Sequence, residues 1–241
     1  MSTKKELKLA IEEAATKALA QMPDGLSLDL ALVHVSSIYG NAERLQSVVP
    51  ALRRALPGLG AVVGCSAAGV VGMKGKRKPA EVENQVCFGL SLASLPGVDV
   101  QPFYLTDMDV PDLLDPPAVW KRAMRMAKDS GVGEQGMEES NLIFLTYATP
   151  QSVDMLGNWM QGMDYVFPEA SKVGAMASTV SSLTRCCLFF GEKDKAGTVM
   201  EENSYYTDGL AGVCLSGDIR MRSFVSQGAR RVGPTFHANE V

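Results

Sequence analysis

The chain has 241 residues, 23 Lys and Arg against 27 Asp and Glu, and 46% hydrophobic residues. That size fits one large domain or two modest ones and buries enough surface to fold without disulfides or structural metal, while the composition excludes disorder, collagen and coiled coil. A formal net charge of -4 supplies no overall field to gather phosphates, so nucleic acid is not an expected partner.

Residues 1–26 form a leading segment. Leu7, Ile11, Ala14, Ala15, Ala18 and Leu19 recur at helical spacing with Lys and Glu between them, and Pro23-Asp24-Gly25 ends the pattern. The apolar face of this amphipathic helix docks on its own domain in the simpler reading and on a partner in the other. The N-terminus has no apolar export segment, and Glu6, Glu12 and Glu13 argue against a transit peptide. Every apolar run is broken by Gly, Pro or charge well before the roughly 18 residues of a membrane span. A soluble, cytoplasmic protein with no membrane partner is expected. The five cysteines, Cys65, Cys87, Cys186, Cys187 and Cys214, then read as reduced core residues. Zinc wants C-x-x-C or Cys/His spacing, and the adjacent Cys186 and Cys187 point to opposite faces if they lie on a strand, so no metal and no cofactor is implied.

Leu28 to Ser36 has a strand pattern, and Ala42 to Leu56 follows with Leu45, Val48, Val49, Leu52 and Leu56 at helical spacing before Pro57-Gly58. Ala61 to Cys65 is a short buried strand, followed by a glycine-rich loop, a basic loop Lys74-Gly75-Lys76-Arg77-Lys78, and alternating strands Val86 to Leu92 and Val98 to Leu105. The basic loop reads as a solvated hairpin tip, with an anionic or protein contact as the alternative. A charged connector, 106–140, carries a helix-compatible stretch from Ala118 to Lys128 and the aspartates Asp107, Asp109, Asp112 and Asp115, which read as turn formers.

The same order then returns. Leu142 to Leu145 sits like Leu32 to Val35, and Ser152 to Phe167 is the matching helix, with Val153, Leu156, Met160, Met163 and Val166 as its apolar face. Val173-Gly174-Ala175 matches Val63-Gly64-Cys65 at the same offset of 110 residues. Strands at Ala211 to Ser216 and Arg220 to Ser226 follow an inserted hairpin near Gly191 to Gly197, and 235–241 is a tail. This order implies an internal duplication of a roughly 80-residue βαβββ unit, at 27–105 and 141–226. Helices segregated to one side of each mostly antiparallel unit predict an α+β fold. Its form is an α-β-β-α sandwich with pseudo-twofold symmetry, and the alternative is a single mixed sheet with both helices on one face.

Gly64-Cys65-Ser66-Ala67-Ala68-Gly69 is the main candidate site, because a buried strand runs into small residues and two glycines that let the backbone approach a ligand. Backbone N–H groups in such a turn hold a carboxylate or phosphate; the competing reading is that the glycines serve only turning and packing. The segment is not G-x-S-x-G, a Walker loop or G-x-G-x-x-G. Cys65 as a nucleophile needs a base, and His34, inside the first strand, reads as a core histidine, while His237 lies in the tail. The second copy contributes Gly174, Ser178 and Thr179 and lacks the cysteine, a pattern that suits binding better than shared chemistry.

Ala61 to Gly69, Lys172 to Ser178, Asp208 to Val213 with Ser216-Gly217, and the closing Gln227 to Pro234 together resemble the FIST N-terminal domain. The resemblance runs from about Leu28 to Pro234 and implies a sensory module, proposed to bind small ligands such as amino acids. Such modules occur in bacterial signal-transduction proteins and in eukaryotic F-box proteins. The family's domain usually continues into a FIST C-terminal domain, and an F-box needs about three helices where residues 1–26 offer room for one. The expected function is therefore a non-enzymatic module that binds an amino acid or related carboxylate at Gly64, Cys65, Ser66, Ala67, Gly69, Gly174, Ser178 and Thr179. The alternative is an adaptor or substrate-recognition module in ubiquitin-dependent protein turnover, with signalling or ubiquitin-ligase proteins as partners.

Overall fold

The computed structural model describes residues 1–73, 78–124, 142–192, 204–224 and 232–233. Helix α1, Leu7–Leu19, buries Leu7, Ile11, Ala14 and Ala15 of the predicted stripe, together with Ala10, against the chain's own core, while Ala18 is only half-buried and Leu19 is exposed at the helix end. Strand β1, Leu30–Ser36, leads through a 3-10 turn at Ser37–Tyr39 into α2, Ala42–Gln46, and α3, Val48–Ala55. The sequence pattern predicts one helix here. The structure breaks it at Ser47, because Pro50 has no N–H for the Gln46 carbonyl and its ring crowds that oxygen. Asn41 caps α2 by accepting the Arg44 N–H at 3.3 Å.

Strand β2, Ala61–Ala67, is buried along its whole length and runs two residues past the expected end at Cys65. A hairpin follows, β3 at Gly69–Met73 and β4 at Pro79–Glu83, so the expected glycine-rich loop is largely strand. Residues 74–77 of the basic loop lie outside the described residues. Strands β5, Phe88–Ala93, and β6, Val98–Leu105, complete the first half. In the connector, α4 spans Pro117–Ala123, and the rest of the predicted helix lies outside the described residues. There Asp109 accepts the Thr106 N–H at 2.8 Å and Asp115 the Asp112 N–H at 2.9 Å, which makes both carboxylates turn formers.

The second half comprises β7, Ile143–Ala148; α5, Val153–Val166; β8, Ser171–Met176; β9, Leu188–Gly191; β10, Tyr205–Tyr206; and β11, Leu210–Gly217. The apolar face of α5 is rotated from the predicted one. Met155, Trp159, Met163 and Val166 are buried, while Val153 and Met160 are exposed. The expected strand at Arg220 to Ser226 is not one over 220–224. The Asp218 N–H bonds Gly97 O instead, and Ile219 and Met221 pack on the core. Its last two residues, the 227–231 stretch and the tail lie outside the described residues.

Two sheets form, ordered β10-β9-β2-β1-β5 and β6-β11-β7-β8, with the β3-β4 hairpin apart. One apolar cluster joins α1 and α3 to the first sheet, a second joins α4 and α5 to the other, and a third fills the space between sheets with Val63, Leu188, Phe190, Ile143, Ala211 and Val213. The layers are therefore α-β-β-α, and the fold is α+β. The predicted units do not each keep their own strands. β6 leaves the first half to pair with β11, and β9 leaves the second half to pair with β2. No helix among the described residues is long and apolar enough to cross a membrane.

Candidate functional site

The two glycine-bearing segments named from sequence meet. The Ser178 N–H donates to Ser66 O at 3.0 Å, and the Ala68 N–H donates to Ser178 Oγ at 3.0 Å. The Ser66 N–H donates to Cys187 O at 2.9 Å, and Ser66 Oγ accepts the Cys187 N–H at 3.0 Å. Thr179 Oγ1 donates to Ser181 O at 2.9 Å, and Gly69 lies against the Glu83 side chain. The main-chain N–H donors of Ser66, Ala68 and Ser178 are thus spent within the protein, joining the end of β2 to the segment after β8.

Cys65 and His34 are neighbours across the β1–β2 register and belong to the interior between sheets. Burial, with Cys187 and Cys186 adding to it, pushes the Cys65 thiol up to about 12. Burial also lowers the His34 pKa, and its ring packs edge-on against Tyr147 at 5.4 Å. At neutral pH this is a protonated thiol beside a neutral imidazole, without the thiolate that nucleophilic chemistry uses.

The open feature lies on the outer side of the second sheet. Between α5 and the edge strand β8 is a cavity of about 310 Å³, walled by Leu156, Trp159, Met160, Thr146, Lys172 and Gly174 among others. Four residues of the local sequence make it. Gly174 has no side chain to fill the space, and none fits, since a Cβ there would stand 1.9 Å from Thr146 O. Trp159 closes the floor, held by its indole N–H to Met124 Sδ at 3.4 Å. Leu156 and Met160, which the sequence pattern placed on the core face of α5, form the side of the opening.

Two polar groups define the chemistry of this cavity. Thr146 Oγ1 is buried, on a residue 6% exposed, and has no hydrogen-bond partner among the described residues. The Lys172 ammonium is held by Phe167 O at 2.7 Å, Ala170 O at 3.3 Å and Asp164 Oδ1 at 2.9 Å, which uses its three donors. The lysine therefore braces the wall and offers a ligand no further hydrogen bond.

The main chain of β8 is open as well. Ser171 N donates to Leu142 O and Ala177 N to Ala148 O, so residues 171, 173, 175 and 177 bond β7. Lys172, Gly174 and Met176 then turn their N–H and C=O groups to the edge, where no strand among the described residues pairs with them. Of the candidate ligand-binding residues named from sequence, Gly174 alone lines this cavity. Thr146 and Trp159 carried no sequence signal, and Lys172 entered only as the first residue of a motif, because only the sheet order shows which side chains flank an edge strand.

Other features are less developed. A second cavity of about 310 Å³ lies among Asp107, Val110, Asp112, Met155 and Asn158, and a third of about 280 Å³ lies beside Asp29, Gly60 and Val98. Neither is walled by a buried polar side chain lacking a partner. Among the described residues, no group of three His, Cys, Asp or Glu is placed to hold a metal ion.

Compared with known proteins, residues 29–241 match the family model described as the FIST N domain. No curated protein matches the chain.

Proposed function

The chain belongs to the FIST N domain family, and from that membership we propose that it is a small-ligand-binding module whose ligand sits in the cavity between α5 and β8. FIST is a sensory domain family. The observation that carries the site is Thr146, a wall residue of an apolar cavity whose buried hydroxyl has no partner among the described residues, next to the edge-facing main-chain groups of Gly174. A buried polar group left without a partner costs about 1–3 kcal/mol, which a ligand atom would recover.

The walls select a ligand with an apolar body and few polar groups. An amino acid or related carboxylate fits this description: its side chain enters beside Trp159 and Leu156, and its amine and carboxylate lie along the β8 edge. In this reading Gly174 touches the ligand, while Gly64, Cys65, Ser66, Ala67 and Gly69, with Ser178 and Thr179, hold the end of β8 in place. The adaptor alternative has less support. It needs the leading helix or the basic loop as its partner surface; α1 spends its apolar face on the core, and residues 74–77 of the basic loop lie outside the described residues.

A thermal-shift panel of amino acids and small carboxylates tests the proposal. A ligand at 100 times its Kd adds roughly 2.7 kcal/mol to stability. The expected result is a shift with one chemical class that disappears in Met160→Trp, which fills the cavity from the outer side of α5. No shift with any compound, or a shift that Met160→Trp leaves intact, overturns it.

A further inference from the structure

The open edge of β8 has an occupied counterpart in the same molecule. β2 and β8 are each the second strand of a parallel pair, and each carries a glycine against its neighbour's carbonyl. A Cβ at Gly64 would stand 1.9 Å from Val33 O, and one at Gly174 would stand 1.9 Å from Thr146 O. On β2 the outer edge is filled. β9 lies antiparallel along it, with Phe189 directly opposite Gly64. Phe189 is fully buried, in one cluster with Val48, Val49 and Leu52 of α3. The helix-facing side of the β2 edge is thus occupied by an aromatic residue of the strand next door, placed across from the glycine.

At β8 each part of this arrangement recurs except the strand, which no described residues supply. Gly174 lines the cavity with Leu156, Trp159 and Met160 of α5, and among the described residues the edge-facing main-chain groups of Lys172, Gly174 and Met176 have no strand partner. We infer that the ligand of this site is an extended peptide segment that adds to β8 as an antiparallel strand and puts an aromatic side chain, opposite Gly174, into the cavity. This rests on the reading of the α5–β8 cavity as the sensory site and names the class of its ligand. Main-chain pairing supplies affinity and the pocket supplies selectivity, as in other cases of strand addition. Aromatic rings rescue glycines across strand pairs, and Met160 offers a sulfur contact to the ring. The Thr146 hydroxyl makes tyrosine the preferred anchor, since a phenol can pair with it.

The probe is a synthetic peptide copying residues 186–192, with serine at both cysteine positions, tyrosine at the position of Phe189 and lysines appended for solubility. Binding is read by tryptophan fluorescence and by the amide NMR shifts of Lys172, Gly174 and Met176 in the full chain. Saturable binding is expected, with shifts at those three amides. It should weaken by about tenfold or more when alanine replaces the tyrosine, the scale of losing a buried aromatic anchor. It should weaken likewise when the edge-facing peptide amides are N-methylated. Peptide binding that persists in Met160→Trp, or that ignores N-methylation, overturns the inference. Free tyrosine that binds in the cavity while the peptide gains nothing overturns it too, and leaves the small-ligand reading standing. If neither the peptide nor any compound of the panel binds, both readings fall.

Discussion

Ser178 holds Ser66 and Ala68 at once: its N–H donates to Ser66 O and its hydroxyl accepts the Ala68 N–H, both at 3.0 Å. The clasp ties the end of β2 in one sheet to the segment leaving β8 in the other. Ser66 is the deeper half of it, fully buried, with its own hydroxyl taking the Cys187 N–H. Ser66→Ala strands that buried N–H and should cost about 1–3 kcal/mol, whereas Ser178→Ala frees a donor that water can reach and should cost about 1 kcal/mol or less. Urea midpoints for the two variants check the order. Equal losses would mean that the clasp, and not the buried bond to Cys187, carries the energy.

Stability should fall on both sides of neutral pH, for different reasons. The folded His34 pKa is lowered from 6.5 by burial, so its contribution is present above 6.5 and is lost as pH falls through the folded value, where the unfolded chain binds the proton first. Glu13 is lowered from 4.5 by hydrogen bonds from Lys17 and Ser2, and adds a further loss below 4.5. Cys65, Cys187 and Cys214 run the other way. Raised from 9.0 to about 12, they contribute fully below pH 9.0 and lose that contribution as pH climbs toward 12. Denaturant midpoints measured across pH should plateau near neutrality, and His34→Phe should flatten the first part of the acid limb.

The same burial makes a prediction about reactivity. Cys65, Cys187 and Cys214 are enclosed with raised pKa values, so a maleimide at neutral pH should label none of them in the folded chain and all of them in denaturant. Rapid labelling of native Cys65, read by peptide mass spectrometry, would return the cysteine to consideration as a nucleophile.

Local elements were legible because local periodicity writes them. Val98–Leu105 alternates and is a strand over that very range, and Leu7 to Leu19 repeats at helical spacing and is helix. The four layers followed from helices lying on one side of each half. The exchange of strands did not, since β6 with β11 and β9 with β2 are non-local pairings that leave no periodic mark. That exchange is also what hides the site. Gly174 could be picked out because Val173-Gly174-Ala175 repeats Val63-Gly64-Cys65 at an offset of 110 residues. That Trp159, Thr146 and Lys172 surround an opening depends on β9 covering β2 and leaving β8 at an edge. The rotated face of α5 has the same origin. Met160 has helical spacing for the core, yet it is exposed over the edge strand β8, beyond which no strand lies among the described residues.

Thr146 gives the sharpest separation between a binding site and a packing defect. Its hydroxyl is buried without a partner, so Thr146→Val replaces an unsatisfied polar atom by a methyl group of nearly the same shape. The ligand-free variant should be more stable by about 1 kcal/mol, since the desolvation cost of the hydroxyl is removed and little volume changes. If the hydroxyl instead serves a ligand, the same substitution should weaken binding by about tenfold, the worth of one hydrogen bond in a dry pocket. Gains in stability at the cost of function are a recurrent signature of binding sites. Thermal melts with and without the bound compound or peptide separate the cases. A stabilised variant with a diminished ligand shift is the expected outcome. A destabilised ligand-free variant would mean that the hydroxyl already has a partner, such as an ordered water, and would remove the observation on which the site rests.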